Sequence, residues 1–313
     1  MATTTTVLKT LLGTYPYTKA IKDGAVSIPG FELSFVEIEP VHDGFGRMAD
    51  RLELDVAEMA LATYILARSF DRPITALPVV VSRNFHHRRL VYNVNSGIRE
   101  PKDLEGKRVG VRSYTQTTPL WVRGVLQHEY GVDLDKVTWV IFEDAHVKAY
   151  QPPPNVVKAP AGKKIGQMLL DGEIDAAIGA DGGASPDVKP LIPNAAEAEL
   201  AWFEKYGVYP VNHLITVKND LVARHPGILA QLFAAFAEAK QAYDRHLAGP
   251  GPLSAADQEM LRLRGIVGDP LPYGVGPNRA AVEMAARFAH EQHVVPKVYA
   301  VEELFRPEVI ALG

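Results

Sequence analysis

Basic residues that can bind an anion or transfer a proton follow one apolar segment of the chain. Residues Thr75–Ser82 (TALPVVVS) have the pattern of a buried β-strand, and Arg83, His86 and His87 come just after it. Arginine grips a carboxylate through two parallel N–H donors, and histidine exchanges a proton near neutral pH. Because adjacent strand residues point to opposite faces, we expect only one of the two histidines to face a reactant. The alternative is a solvated basic turn that binds nothing.

A third candidate proton donor, His213, lies within the apolar strand pattern Val211–Val217 (VNHLITV). In one interpretation, His213 is a core histidine whose ring is hydrogen-bonded to the backbone. In the other, the strand returns to the first part of the chain and places His213 at the floor of a ligand site. Glu58, at the end of the strand pattern Leu54–Met59, is a candidate proton acceptor. Otherwise it is a solvated or arginine-paired carboxylate.

The start of a predicted helix supplies a candidate anion site. Arg112, Ser113, Tyr114 and Thr115 follow the strand pattern Arg108–Val111 and precede a helical pattern. Backbone N–H groups at a helix start bind anions, and the hydroxyls in this run can assist them. Helix capping alone would also explain these residues.

Arginine and tyrosine provide further binding candidates. Arg123 lies in the otherwise apolar helical segment WVRGVL. If it faces inward it must be paired or bound to a ligand, since an unpaired buried charge is costly; otherwise it is a surface arginine. Tyr15 and Tyr17, in the first strand-to-helix loop, can stack on an aromatic ring or are ordinary loop residues.

The composition excludes several classes of protein. The 313 residues include 33 Lys+Arg and 37 Asp+Glu, a net charge of −4, which provides no basic field for nucleic acid. The chain has no cysteine, so disulfides, thiolate metal sites and cysteine nucleophiles are excluded. His290 and His293 do not have the spacing of a zinc-binding HExxH motif. No apolar run approaches the ~20 residues needed to span a bilayer.

Short β-rich runs alternate with helical patterns, which is typical of an α/β fold. Strand patterns occur at 31–38, 54–59, 75–82, 108–111, 137–142, 174–178 and 211–217, and helical patterns at 45–52, 62–70, 164–172, 226–247, 254–264, 278–293 and 301–306. A further helix is expected to be capped within 115–118, and the proline-rich segment 149–162 to be a long loop without regular structure.

A charged stretch at 98–110 indicates a boundary between two domains. We therefore expect one lobe formed by 1–97 and 212–313 and a second lobe formed by 98–211. Ligands of open α/β sheets bind beyond the carboxyl ends of the strands, which places the expected site in a cleft between the lobes.

Eight segments of the chain resemble the 4,5-dihydroxyphthalate decarboxylase family, in the same order. They are LDVAEMALATY (54–64), ALPVVVSRNFHH (76–87), PKDLEGKRVGV (101–111), PLWVRGVLQHEYGV (119–132), LLDGEIDAAI (169–178), YGVYPVNHLITV (206–217), PYGVGPNRAAVE (272–283) and VEELFRP (301–307). The segments SRNFHH, WVRGVL with the following EYGV, and PYGVGPNR are the most distinctive. The resemblance implies an α/β, two-lobed periplasmic-binding-protein-like (type II) fold with a central inter-lobe cleft.

The resemblance also implies a cofactor-independent decarboxylase of a hydroxylated, phthalate-like aromatic acid. A hydroxyl para to the departing carboxylate supplies electrons, the ring carbon is protonated, and loss of CO2 restores aromaticity. The catalytic candidates are His86, His87, His213 and Glu58. The substrate-binding candidates are Tyr15, Tyr17, Arg83, Arg112, Ser113, Tyr114, Thr115, Arg123 and Asp181.

The expected partner is a small aromatic carboxylate, with no cofactor, metal, nucleic acid or membrane. The oligomeric state stays open, a homodimer being one alternative. The first residues (MATTTTVLKTLLGTYPYTKAI) lack the basic region and apolar core of a secretory signal, so a cytoplasmic protein is expected.

Three loops expected at the cleft depart from the family pattern. The family usually has a glycine-rich segment where this chain has EDAH (143–146), an aspartate pair around a tyrosine where it has TYPY (14–17), and Pro-Arg where it has Ala180 and Asp181. An aspartate in place of an arginine removes an anion clamp, so the substrate stays open. A non-catalytic solute-binding protein for transport or sensing, or a different reaction on a related aromatic acid, are the alternatives.

Overall fold

The computed structural model describes residues 5–180 and 185–313. Its strands are β1 (Thr6–Leu11), β2 (Phe31–Phe35), β3 (Val56–Ala60), β4 (Ile74–Arg83), β5 (Leu90–Asn93), β6 (Arg108–Val111), β7 (Thr138–Ile141), β8 (Val156–Lys158), β9 (Ala176–Ile178), β10 (Val188–Pro190) and β11 (Val211–Lys218). Its helices are α1 (Lys19–Lys22), α2 (Phe45–Ala49), α3 (Leu61–Ser69), α4 (Thr117–Tyr130), α5 (Ile165–Leu170), α6 (Ala195–Tyr206), α7 (Asn219–Arg224), α8 (Ile228–Ala248), α9 (Ala255–Val267), α10 (Val275–Glu291), α11 (Val301–Leu304) and α12 (Pro307–Ile310).

The chain divides into two compact units. The first contains the chain up to Arg83 together with Val211–Glu283 and Tyr299–Gly313, and the second contains Asn84–Pro210 and Met284–Val298. The chain thus first changes unit at 83/84, whereas the division expected from the sequence has its first boundary at 97/98. The strand β5 lies between these two positions, and it pairs within the sheet of the second unit.

The first unit is built on a mixed sheet with the strand order β2-β1-β3-β11-β4. β1 pairs in parallel with β2 and β3, while β11 runs antiparallel between β3 and β4. Every residue of β4 from Ile74 to Val81 is buried, as its continuous apolar sequence predicts. Pro78 is tolerated there because β4 is an edge strand, where a missing N–H donor breaks no ladder.

The distinctive segment at 272–279 holds the start of α10 against β4. The backbone N–H of Gly274 donates to the carbonyl of Pro78 at 2.8 Å. The side-chain amide of Asn278 donates to the carbonyls of Pro272 and Gly274 at 2.7 and 2.8 Å. These contacts give the segment a structural role in positioning the helix.

The second unit is built on a sheet with the order β10-β5-β9-β6-β7-β8. β6 is parallel to both β9 and β7, and β5 is antiparallel to β9 and β10. In α4, a Cβ at Gly124 would lie 2.1 Å from the ring of Phe288. Only glycine therefore allows α4 to pack this closely on the end of α10.

One local prediction was wrong. The proline-rich segment 149–162 contains β8, since Val156 follows the prolines and pairs in parallel with Trp139 of β7. The N-cap of α4 is Gln116, which lies within the range 115–118 expected from the sequence, although its side chain makes no capping hydrogen bond. The strands β1, β5 and β10 and the helix α6 were not predicted from the sequence.

No helix within residues 5–180 and 185–313 combines the length and the apolar character that crossing a bilayer requires.

Candidate functional site

A carboxylate and an imidazole meet in the first unit. Glu58 lies in β3 and is 0% exposed, and its Oε1 is 2.7 Å from Nδ1 of His213 in β11. The strand register places His213 opposite Ala60. Glu58 and Ala60 are two residues apart and share a face of the sheet, so the two side chains are diagonal neighbours. The sequence assigned Glu58 to a strand end, whereas it lies in the middle of β3.

Two further donors surround the carboxylate of Glu58. The hydroxyl of Tyr15 donates to Oε1 at 2.6 Å, and the backbone N–H of Gly13 donates to Oε2 at 2.8 Å. A buried carboxylate is tolerated only when it is hydrogen-bonded in this way. With both oxygens occupied, Glu58 is placed to orient His213 rather than to meet a reactant itself.

The rings of Tyr15 and Tyr17 stack on each other. The rings of Tyr15 and Tyr17 are 5.3 Å apart and nearly parallel, and the hydroxyl of Tyr17 donates to the carbonyl of Val81 at 2.6 Å. Burial, and next the neighbouring charge of Glu58, raise the pKa of Tyr15 far above that of an ordinary tyrosine. Tyr15 therefore remains a hydrogen-bond donor to Glu58 at all physiological pH values.

The ring of Tyr15 needs a glycine beside it. A Cβ at Gly13 would lie 2.9 Å from three atoms of the Tyr15 side chain, closer than real Cβ contacts. The loop after β1 thus brings a backbone donor and a phenol to the same carboxylate only because residue 13 has no side chain.

In His213, Nδ1 is hydrogen-bonded to Glu58, and Nε2 remains for proton transfer. With Nδ1 turned to Glu58, the reactive nitrogen of the ring is Nε2. The side chain is 19% exposed, and its ring packs edge-on against Phe45 at 5.1 Å. As an imidazolium, His213 can donate the Nε2 proton, and the buried carboxylate stabilises the charge. The arrangement is that of a carboxylate-oriented general acid.

Arg83, the last residue of β4, lies in the same unit as Glu58 and His213. Arg83 is half-buried at the end of β4, where it lies opposite Val211 of β11 in the strand register. Its role in binding a carboxylate stays a prediction.

The histidine pair lies in the second unit and is not solvated. His86 and His87 are 2% and 3% exposed, so the alternative of a solvated basic turn is wrong for them. The ring of His87 packs edge-on against Trp202 of α6, with 5.9 Å between centroids. Burial lowers the pKa of His87, which therefore stays neutral near pH 7. A neutral, enclosed ring is poorly suited to donate a proton.

Arg123 points into the second unit and is 0% exposed, so the surface alternative is wrong. Its Nε donates to the side-chain oxygen of Gln292 at 2.8 Å, and its Nη2 donates to the carbonyl of Tyr114 at 2.7 Å. The guanidinium also lies 3.7 Å from the centre of the Tyr114 ring. Burial lowers the pKa of Arg123, but a guanidinium stays charged in proteins.

The residues predicted to bind an anion line a cavity of the second unit. Ser113, Tyr114 and Thr115 are buried at the start of α4 and form part of the wall of a cavity of about 530 Å³. Arg112, beside them, lies 3.5 Å from Glu143. The remaining binding candidate, Asp181, lies outside the described residues.

Three neighbours of these candidates were missed. Gly13 and Gln292 complete hydrogen-bond networks, and Tyr150 lines the same cavity as Ser113. The only sequence signal for Gln292 was the His-Glu-Gln-His segment at 290–293, which the spacing excluded as a zinc motif. In the described part of the chain, no three His, Cys, Asp or Glu side chains are grouped as metal ligands.

Known proteins resemble this chain over most of its length. The family described as NMT1/THI5 like matches residues 48–152. A 4,5-dihydroxyphthalate decarboxylase of Comamonas testosteroni is 30% identical over 318 residues, covering 96% of this chain and 96% of that protein. A protein of the same name from Pseudomonas putida is 32% identical over 180 residues, covering 55% of this chain and 69% of its own length.

A solved structure with the same fold is the alkanesulfonate-binding protein SsuA of Xanthomonas axonopodis pv. citri bound to MOPS. It has a TM-score of 0.56 at 13% sequence identity and covers 96% of this chain and 98% of its own. This likeness confirms the predicted α/β periplasmic-binding-protein-like fold. The chain belongs to the 4,5-dihydroxyphthalate decarboxylase family, and is thus a carboxy-lyase on a binding-protein scaffold.

Proposed function

We propose that this protein removes CO2 from a hydroxylated, phthalate-like aromatic acid without a cofactor, with His213 as the proton donor. The observation that carries the proposal is the contact of 2.7 Å between Nδ1 of His213 and the fully buried Glu58. The relatives at about 30% identity that are named 4,5-dihydroxyphthalate decarboxylase support the substrate class.

The reaction requires a proton at the ring carbon that bears the departing carboxylate. In 4,5-dihydroxyphthalate, each carboxylate has a hydroxyl para to it, whose electrons pass into the ring as that carbon takes the Nε2 proton of His213. The product of this step is a protonated dienone, in which the para oxygen keeps its hydrogen. When the carbon–carboxylate bond breaks, its electron pair returns to the ring, CO2 leaves, and the phenol is restored. His213 ends neutral and takes its next proton from solvent.

The side chain of Glu58 makes this step easier without touching the substrate. Its bond to Nδ1 fixes the orientation of the His213 ring and leaves Nε2 as the nitrogen for proton transfer. Tyr15 and Gly13 in turn hold the carboxylate in one orientation. The carboxylates of the substrate require fixed donors, and we assign one of these to Arg83, which ends β4 in the same unit as His213.

The test is CO2 release by the purified protein from a panel of hydroxylated benzoates and phthalates. We expect release from acids with a hydroxyl para to a carboxylate, and none from phthalate itself. Tight binding across the panel without CO2 release would instead indicate a binding protein, and would overturn the proposal.

A further inference from the structure

We propose that Arg123 is a positioning residue that supplies a buried positive charge for a ligand carboxylate in the 530 Å³ cavity of the second unit, without touching that ligand. The inference deepens the proposed function and rests on it for the nature of the ligand. It assigns to the cavity an aromatic acid whose carboxylate neutralises a charge that the protein leaves unbalanced.

In the part of the chain that the structure describes, no anion balances the charge of Arg123. Its hydrogen bonds go to an amide oxygen of Gln292 and to the carbonyl of Tyr114, and its Nη1 is buried without a hydrogen-bond partner. Within residues 5–180 and 185–313, no carboxylate forms a salt bridge with it. Burying an unbalanced cation is unfavourable. The presence of Arg123 inside this unit therefore indicates that a bound anion balances its charge.

Tyr114 connects this charge to the cavity. The guanidinium lies 3.7 Å from the centre of the Tyr114 ring, and Tyr114 is part of the cavity wall. The hydroxyl of Tyr114 donates to the carbonyl of Gln292 at 3.0 Å, and the amide of Gln292 donates to the carbonyl of Leu120 at 3.0 Å. These hydrogen bonds hold Tyr114 in place on the side of Arg123 and Gln292. They thereby also restrain the neighbouring Ser113 and Thr115. Arg123 does not line the cavity itself and acts through Tyr114.

The other charges at the cavity also favour an anion. Asp144 lines the cavity, but its carboxylate is 2.6 Å from Nζ of Lys158. Lys148 adds a further positive charge to the wall. The hydroxyl of Thr115 can donate to a ligand, whereas those of Ser113 and Tyr150 donate to the backbone carbonyls of Asp144 and His293 at 3.3 Å. A volume of about 530 Å³ accommodates a substituted benzene ring.

A single added carboxylate beside Arg123 tests the inference. In Gln292→Glu, the new charge occupies the position of the oxygen that accepts from Nε of Arg123 and balances it internally. Binding of phthalate and of its neutral diamide, phthalamide, is measured by titration calorimetry. We expect phthalate affinity to fall by about tenfold and phthalamide affinity to change less than twofold. Gln167→Glu, which adds the same charge on the exposed face of α5, should bind both as the wild type does.

Equal loss of both ligands in Gln292→Glu, or unchanged phthalate binding, would overturn the inference. If Gln292→Glu does not fold, Arg123→Lys is the variant that tests the inference. This variant keeps the charge but not the forked hydrogen bonds, so it should prefer phthalate over phthalamide as the wild type does, and loss of that preference would contradict the inference. Absence of phthalate binding by the wild-type protein would also overturn it. Phthalate lacks the hydroxyl needed for turnover, so these results are independent of whether CO2 is released.

Discussion

Glu58 and His213 share a hydrogen bond across two antiparallel strands, with 2.7 Å between Oε1 and Nδ1. The carboxylate is fully buried and the imidazole is partly exposed. Because of this difference, we assign the two residues different tasks. Glu58 orients the imidazole from inside the protein, and His213 transfers the proton through Nε2. The following predictions depend on this division.

Replacing Glu58 tests the orienting carboxylate. In Glu58→Gln, the amide cannot accept from all three donors that now contact the carboxylate, and it no longer stabilises the imidazolium. We expect kcat for CO2 release to fall by about tenfold to a hundredfold, and the free energy of unfolding by about 1–3 kcal/mol. Glu32→Gln, which neutralises an exposed carboxylate on β2, should match the wild type in both. A kcat within twofold of the wild type in Glu58→Gln would remove Glu58 from the mechanism.

Gly13 tests the close approach of the Tyr15 ring. In Gly13→Ala, the new methyl group displaces Tyr15 and breaks its hydrogen bond to Glu58. Steady-state kinetics should show kcat lowered by about tenfold, and denaturant unfolding a loss of about 1–3 kcal/mol. The matched change Gly265→Ala lies in α9 with nothing within 4 Å of the new atom. It should stabilise the protein by about 0.5–1 kcal/mol without affecting kcat. Equal behaviour of the two variants would contradict the account.

The raised pKa of Tyr15 predicts a loss of stability at alkaline pH. The folded chain holds this proton more tightly than the unfolded chain, in which tyrosine titrates near pH 10. The free energy of unfolding therefore falls as pH rises past about 10, by up to about 1.4 kcal/mol per pH unit for this group. Tyr15→Phe should show a shallower decline in urea unfolding between pH 9 and 11. Tyr64, whose pKa burial raises to about 12, contributes equally to both proteins. An unchanged slope in Tyr15→Phe would show that Tyr15 is not buried against Glu58.

The lowered pKa of His87 predicts a loss of stability at acidic pH. The unfolded chain binds a proton at this residue near pH 6.5, and the folded chain resists it because the ring is buried beside Trp202. This contribution to stability is present above about pH 6.5 and is lost as pH falls. Urea unfolding of His87→Gln should therefore show a smaller loss between pH 7 and pH 5 than the wild type. A loss equal to that of the wild type would place His87 in solvent.

Single residues in apolar strands were easier to predict than the contacts between them. The continuous apolar run of β4 predicted a buried strand, and the apolar run at 211–217 placed His213 within a strand. Neither pattern contains the register that sets His213 diagonal to Glu58, because 155 residues separate them in the chain. The candidate residues could thus be named from the sequence, but their grouping depends on strand pairing.

The errors have identifiable physical causes. β8 was missed because the prolines at 152–154 mark the segment as a loop, and the short strand that follows them is set by its pairing with β7. The role of Gln292 was missed because it uses both its backbone carbonyl and its side chain, and only the fold brings these to Tyr114 and Arg123. The inward orientation of Arg123, which the sequence left open, also depends on the fold.

The central claim is that His213 delivers the proton to the ring carbon, and single-histidine variants test it most directly. CO2 release from 4,5-dihydroxyphthalate is measured for His213→Gln, His86→Gln and His87→Gln, with phthalate binding as the control for an intact site. The account predicts a loss of about 10²-fold or more in kcat for His213→Gln, with phthalate binding retained, and a loss below tenfold for the other two. A loss below tenfold for His213→Gln would contradict the account.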